Sequence, residues 1–374
     1  MEKKRVVVKI GSSSLTNSFG GLSEGKLAEH TRAIIQLIKK GHEVLLVSSG
    51  AVAAGFCEIG YPVRPVTVSG KQAAAAVGQG RLVQSYTKIF KEHGIVSAQL
   101  LLTKNDFIQK EQYNNAYGVL IELIKRSVLP IINENDSVSI EELTFGDNDM
   151  LSALVSGLVH ADFLIILTDI NGLYKEDPRI NPLAERYDFL PKITEDLLHQ
   201  TQSTSGSKFG TGGMKSKLLA AQTALALGVN GFIGTGSGQD KLLDILDGKG
   251  NGTYIGNSSA HMVKKTKQWL ALHSQVKGKI IIDDGAVYAI EMGGKSLLPA
   301  GIEQIYGAFD AGNIIEVFNL KGEIIGKGQT NYSSDELNNI KGMESRAAMQ
   351  KTGRSKPEVI HRDHFVQTIN EAIT

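Results

Sequence analysis

The sequence predicts an α/β protein, a mostly parallel sheet sandwiched by helices, with a smaller C-terminal β-barrel domain after it. Three observations predict this. Short, near-continuous apolar runs alternate with amphipathic segments through the first two thirds of the chain, the pattern of parallel strands buried on both faces. Several of those runs end in polar or glycine-rich residues, at the strand ends where ligands of open α/β sheets collect. Near residue 256 the alternation gives way to a polar, basic stretch and then to short strand-like runs rich in glycine.

Taken in order, RVVVKI (5–10) is a β-branched run closed by a Gly/Ser loop, and 22–41 has helical periodicity ending on Lys-Lys-Gly, a C-terminal signal. EVLLVS (43–48) is a second buried strand. Helix over 70–93, strand over 96–103, helix over 111–127 and strand over 128–133 follow. MLSALVSGLVHA (150–161) reads as helix, FLIILT (163–168) as strand, 214–227 as helix and VNGFIG (229–234) as strand. The polar strand ends are Lys9–Gly11–Ser12, Ser48–Ser49–Gly50, Asn133–Glu134–Asn135–Asp136 and Thr168–Asp169. The expected layout is a catalytic domain over 1–256, a linker over 257–275, the barrel over 276–354 and a polar tail over 355–374 with one possible helix near 363–372. KIIID, AVYAIE, IIEVFN and EIIGKG are the barrel's strand-like runs, with little helix signal.

The most chemical segment is GSKFGTGGMKSKLLA (206–220), a glycine-rich loop that runs into an apolar-periodic helix. Gly210, Gly212 and Gly213 let backbone approach a ligand closely. The helix start turns unpaired N–H groups and a positive dipole end to the same point, and Lys215 and Lys217 add two ammonium groups suited to a polyphosphate. No Gly-Lys-Ser/Thr triplet stands at P-loop spacing, so phosphate is bound in some other fold. Lys9 closes the first strand before Gly-Ser-Ser, whose backbone suits an anion nest. Ser49 and Gly50 offer a hydroxyl and backbone N–H groups at a strand-to-helix transition, a geometry suited to a carboxylate.

Composition narrows the class. The 374 residues suffice for two domains, and a formal net charge of +1 predicts no strong field for nucleic acid or membrane. One cysteine, Cys57, rules out an internal disulfide framework and is expected to be a buried packing residue. The nine histidines are scattered without a His-x-x-x-His pair, against zinc. No apolar run reaches the roughly 18 residues needed to cross a bilayer, and the basic start reads as a strand, not a signal peptide. A cytoplasmic protein without membrane contact is the expectation.

The stretches VVKIGSS (7–13), VSSGAVAAG (47–55), PIINENDSV (130–138), FGDNDMLSALVS (145–156), LTDINGLY (167–174) and GTGGMKSK (210–217) resemble, in order, those of the amino acid kinase family, in particular glutamate 5-kinases of the long form with a C-terminal PUA domain. KGKIIIDDGAV, SLLPAGI and FDAGNIIEV are similar to the PUA part. The resemblance implies ATP-dependent phosphorylation of the side-chain carboxylate of L-glutamate, the first step of proline biosynthesis. It assigns Lys9, Thr168, Asp169, Thr211, Gly212, Gly213, Met214, Lys215, Ser216 and Lys217 to ATP. Ser49, Gly50, Asp136 and Asn148 fall to the amino acid substrate, with Asp136 and Asn148 serving its α-ammonium and α-carboxylate respectively or sharing one network.

Asp149 completes the catalytic set with Lys9 and Lys217. A glutamate side chain has a reference pKa near 4.3 and is already ionised at neutral pH, so no general base is needed and Asp149 is read as an organiser of the two lysines. Mg²⁺ is expected to ride on the nucleotide phosphates, with no metal ligand assigned to the protein. Feedback inhibition by L-proline, a homo-oligomer (dimer or tetramer) and coupling to a glutamyl phosphate reductase are further implications. One alternative is another amino acid kinase, acting on N-acetylglutamate, aspartate, uridylate or carbamate. Asp136 argues against an acetylated or ureido substrate, which would leave it unpaired. The other is RNA binding through the second domain. From residue 256 onward 14 lysines and arginines face 13 acidic residues, without the basic footprint such binding requires.

Overall fold

A computed structural model describes residues 2–138, 148–176, 178, 180–194, 197–198, 213–256, 276–291 and 293–367. The chain folds as two compact units, with Phe107–Tyr113 grouped with the second.

In chain order the first unit begins β1 (Arg5–Ile10), α1 (Glu24–Lys39), β2 (Glu43–Ser48), α2 (Ala51–Gly55), α3 (Val68–Glu92) and β3 (Ser97–Leu102). Then come α4 (Lys104–Ile108), α5 (Lys110–Lys125), β4 (Leu129–Glu134), α6 (Asn148–Leu158), β5 (Phe163–Leu167), β6 (Leu173–Tyr174), β7 (Arg186–Tyr187) and β8 (Phe189–Leu190). The series closes with α7 (Met214–Ala226), β9 (Asn230–Thr235), α8 (Lys241–Leu246) and β10 (Asn251–Ile255). Eight of these strands form one sheet in the order β3-β4-β2-β1-β5-β9-β10-β8. The six from β3 to β9 pair parallel, and β10 turns antiparallel on β9.

Burial explains the sequence pattern. Val6, Val7, Val8 and Ile10 of β1 are fully buried, as are Leu45, Leu46 and Val47 of β2, so both faces of the central strands are covered and their side chains are apolar without alternation. Helix starts are fixed by side chains: Ser23 accepts from the Lys26 amide before α1, and Thr67 from the Gly70 amide before α3. The pair α2 and α3 packs backbone to backbone. A Cβ on Gly78 would stand 1.9 Å from the Ala51 carbonyl oxygen, and one on Gly55 2.2 Å from that of Ala74. This contact brings the buried face of α3 against the ends of β2 and β4.

The second unit holds a five-stranded sheet. Its members are β11 (Val276–Ile282), β12 (Ile302–Tyr306), β13 (Ile314–Phe318), β14 (Ile324–Thr330) and β15 (Ile360–Gln367), in the order β12-β11-β13-β14-β15. Ile280, Ile315, Val317, Tyr332, Leu337 and Ile360 build its separate core.

Three expectations change here. AVYAIE is helical, within α9 (Asp284–Glu291): the Asp283 carboxylate accepts from the Ala286 amide at 2.6 Å, and Ala286, Val287 and Ile290 share the core-facing side. The C-terminal unit also carries α10 (Ser334–Ile340), opened by a capping box of Ser333 and Glu336, and α11 (Ser345–Thr352). The polar tail is in part a strand, since 360–367 pairs antiparallel with β14; its apolar residues Ile360 and Phe365 close the core. Finally, Cys57 is exposed. Phe56 takes the buried place at the end of α2, and the chain turns outward after it. Among the described residues no helix is long and apolar enough to cross a membrane.

Candidate active site

The carboxyl ends of β1, β2, β4 and β5 converge on the first turn of α6, and the polar groups there are buried. Lys9, the penultimate residue of β1, is 4% exposed, pinned in register between Val47 and Ile166. An ammonium group so placed requires a counter-charge. Asp149 provides it from the first turn of α6, itself fully buried, with Oδ1 2.5 Å from Lys9 Nζ. Its other oxygen, Oδ2, lies 3.0 Å from Nζ of Lys217, in the first turn of α7 and 8% exposed. Burial alone would raise the Asp149 carboxyl. The charges and hydrogen bonds of Lys9 and Lys217 outweigh it and hold the group down at about 2. Two ammonium groups share one carboxylate, so the trio carries a net positive charge.

Gly11 and the start of α7 stand beside this trio. A Cβ on Gly11 would stand 3.4 Å from Lys9 Nζ, so glycine leaves that approach open. Gly213 caps α7 in an extended conformation without a side-chain cap, and the Ser216 hydroxyl donates back to its carbonyl at 2.8 Å. The N-terminal amides of α7 thus receive no side-chain cap from Gly213. Ser216 also reaches Asp149 Oδ2 at 3.4 Å. Met214 is half-buried and Lys215 exposed, so the two lysines of the motif divide, one into the site and one to solvent. Thr168 is buried just past β5, its amide donating to Gly234 and its hydroxyl to Asp169, whose carboxylate is exposed. Thr211 and Gly212 lie outside the described residues.

On the other side of Asp149, its neighbour Asn148 opens a second polar cluster. Asn148 Nδ2 donates to Ser49 Oγ at 2.9 Å and to Asn133 Oδ1 at 2.7 Å, with the Ser48 carbonyl at 3.4 Å. Gly50 begins α2 at a φ of 111°, in the left-handed region that a glycine takes without strain. Asp136 stands beyond the end of β4. Burial, then the Glu134 carboxylate, push its carboxyl up to about 7, against the opposing Arg64 guanidinium. Adjacent residues of one helical turn thus reach two sites, Asp149 the lysines and Asn148 the serine–asparagine cluster.

Sequence reasoning did not single out Arg64, Gln79 or Tyr86. Tyr86, fully buried, shares a hydrogen bond with Ser48 Oγ at 3.0 Å, and Gln79 Oε1 accepts from Asn133 Nδ2 at 2.7 Å. Their signal lay in helical spacing: Ala75, Gln79, Leu82 and Tyr86 follow one buried stripe of α3, and a glutamine on such a stripe is a buried polar group in need of a partner. Arg64 sits in an irregular loop and had no such mark.

Comparison with known proteins places the chain in a family. Residues 4–234 match the amino acid kinase family and residues 278–351 the PUA domain. The chain is 59% identical to a glutamate 5-kinase of Bacillus mycoides over 366 residues, 98% of this chain and all of that protein. It is 60% identical, with the same coverage, to a glutamate 5-kinase of Bacillus cereus. Among solved structures, carbamate kinase from Giardia lamblia bound to AMP-PNP aligns with a TM-score of 0.49 and 19% identity, over 68% of this chain and 99% of that one.

Proposed function

This chain belongs to the amino acid kinase family, among the glutamate 5-kinases that carry a PUA domain, and on that premise we propose that it transfers the γ-phosphoryl group of ATP to the side-chain carboxylate of L-glutamate. One observation carries the mechanism: a buried, ionised aspartate holds two lysines, from β1 and α7, at a single point. A carboxylate oxygen of glutamate attacks the γ-phosphorus, the bond from that phosphorus to the bridging oxygen breaks, and ADP leaves with those electrons. No proton moves in this step, because the nucleophile is already ionised. Asp149 has both oxygens engaged by ammonium groups, which suits positioning and not base catalysis.

The barrier is the approach of one anion to another. Lys9 and Lys217 act on the charge that spreads over the γ-phosphoryl oxygens, together with the amides at the start of α7 that no side chain caps. A preorganised pair reorganises little during transfer, and burial strengthens its field. Among the described residues no group of three His, Cys, Asp or Glu is disposed to take a metal ion, and the site's one carboxylate between the lysines is committed to them. With that carboxylate committed, a magnesium ion would enter with the nucleotide, held through its phosphates. Bound there, it would neutralise β- and γ-oxygen charge.

Asp136 supports an amino acid with a free ammonium group. Such a group would find a carboxylate, whereas an acylated nitrogen would leave the half-buried Asp136 with only the Arg64 guanidinium opposite it. L-Proline carries the same ammonium–carboxylate headgroup, and competition with glutamate at this end of the site is part of the proposal. The sign of the pH dependence follows. Asp136 must be ionised to bind the ammonium, and its carboxyl titrates near 7. kcat/KM for glutamate therefore falls roughly tenfold from pH 8 to pH 6, while kcat, set in the complex, stays flatter. Asp136→Asn lowers kcat/KM at pH 8 and removes this acid limb. An initial-rate pH profile of both proteins reads the effect.

An ATP-dependent hydroxamate assay comparing L-glutamate, N-acetylglutamate and L-aspartate tests the substrate itself. Turnover confined to glutamate is expected. Preferred turnover of N-acetylglutamate or aspartate overturns the reading.

A further inference from the structure

We propose that Gln79 and Asn133 form a two-amide relay that holds Asn148 with its carbonyl oxygen toward the substrate, so that this position selects a hydrogen-bond donor, the α-amino group, and not a carboxylate. The inference rests on the proposed function and adds two positioning residues to it.

The polarity of the relay is set by main-chain groups, which have only one possible role. The amide of Glu134 donates to Asn133 at 2.9 Å, so the atom it meets is Asn133 Oδ1. The Asn148 atom 2.7 Å from that oxygen must then be a donor, Nδ2. The Ser48 carbonyl, acceptor only, faces the same nitrogen at 3.4 Å. Asn133 Nδ2 is left facing α3, where Gln79 Oε1 accepts it at 2.7 Å. Each amide thereby fixes the next.

Burial makes the order strict. Gln79 is 9% exposed, Asn133 1% and Asn148 7%, so a flipped amide would set two donors or two acceptors face to face without water to relieve them. What remains is Asn148 Oδ1, a buried acceptor with no hydrogen-bond partner among the described residues. Its nitrogen is committed to Ser49 Oγ and Asn133. A carboxylate meeting Oδ1 would place acceptor against acceptor. An ammonium group satisfies it. The α-carboxylate is then left to Ser49 and the backbone at Gly50.

The experiment compares KM for L-glutamate with the inhibition constant of glutarate, which has both carboxylates and no amino group. Gln79→Leu removes the acceptor beneath Asn133 and leaves Asn133 Nδ2 buried without its partner, which loosens the side chain that Asn148 is held by. It should raise KM for glutamate about tenfold, the worth of one hydrogen bond to a charged group, with kcat, KM for ATP and the glutarate constant little changed. Gln79→Glu keeps an acceptor oxygen at that place and should restore KM for glutamate. An unchanged KM in Gln79→Leu, an equal loss for glutamate and glutarate, or no rescue by Gln79→Glu would overturn the relay. A crystal structure of the unaltered chain with L-glutamate gives the answer without any variant: the amino nitrogen should lie about 3 Å from Asn148 Oδ1, and a carboxylate oxygen in its place would refute the proposal. Absence of glutamate turnover by the unaltered chain overturns the function itself, a different outcome from any of these.

Discussion

Asp149→Asn lowers kcat by about two to three orders of magnitude, the range seen when fixed charge stabilisation is removed from a transition state, with a much smaller change in KM for glutamate. The substitution is isosteric, so the shape of the site is kept. What is lost is the charge that draws the Lys9 and Lys217 ammonium groups to one point, 2.5 and 3.0 Å from its two oxygens. An amide offers one acceptor and one donor, and the donor faces an ammonium. One lysine then leaves, and the phosphoryl oxygens lose a partner in the transition state more than in the ground state. The glutamate contacts proposed on the Asn148 side do not involve the replaced oxygens. Single-turnover rates and KM for both substrates separate the two effects.

The same change acts on stability. Two buried ammonium groups without a carboxylate cost about 3–5 kcal/mol, as in other broken buried ion pairs. The pH dependence has a definite sign: the carboxyl is held at about 2 in the folded chain, below its ordinary value near 3.9. Its contribution is therefore present above about pH 4 and is lost as pH falls from there towards 2. Denaturant unfolding across that interval should show a slope in the parent chain that Asp149→Asn lacks.

Lys217→Ala carries the second large effect, a fall in kcat of about 10²–10³, or roughly 3–4 kcal/mol of transition-state stabilisation. The side chain is 8% exposed, so no solvent cation takes over its role readily. Lys9→Ala should match it, because both ammonium groups meet the same carboxylate. The double variant should lose less than the sum of the two, since the residues act as a unit. Arginine should not rescue either position: its planar fork is longer and broader than the point charge these close contacts accommodate. By contrast, Lys215 is exposed, and Lys215→Ala should change kcat far less. Initial rates at saturating glutamate and ATP compare all four.

The sheet was legible because its strands are buried on both faces. Runs such as VVVKI and VLLVS leave no alternative periodicity, and caps at Ser23 and Thr67 mark where helices start. The C-terminal unit was read less well. AVYAIE satisfies strand and helix patterns equally, and only the Asp283 cap and the packing of Ile290 decide between them. At the site, residues on strand ends and in the glycine-rich motif announced themselves by type and place. Lys9, Asp149 and Lys217 are far apart in sequence, and their meeting is a product of sheet order. Gln79 escaped notice because its partner, Asn133, lies on a strand 54 residues away. Cys57 was misjudged for a local reason: the apolar run AVAAGF ends one residue before it, where the helix stops.

The most direct test is a crystal structure with a non-hydrolysable ATP analogue and L-glutamate bound together. Both Lys9 Nζ and Lys217 Nζ should lie within hydrogen-bonding distance, about 3 Å, of γ-phosphoryl oxygens, with Asp149 still between them and the glutamate side-chain carboxylate in line with the γ-phosphorus. A γ-phosphoryl group bound away from this pair, or touched by only one of the two lysines, would contradict the mechanism.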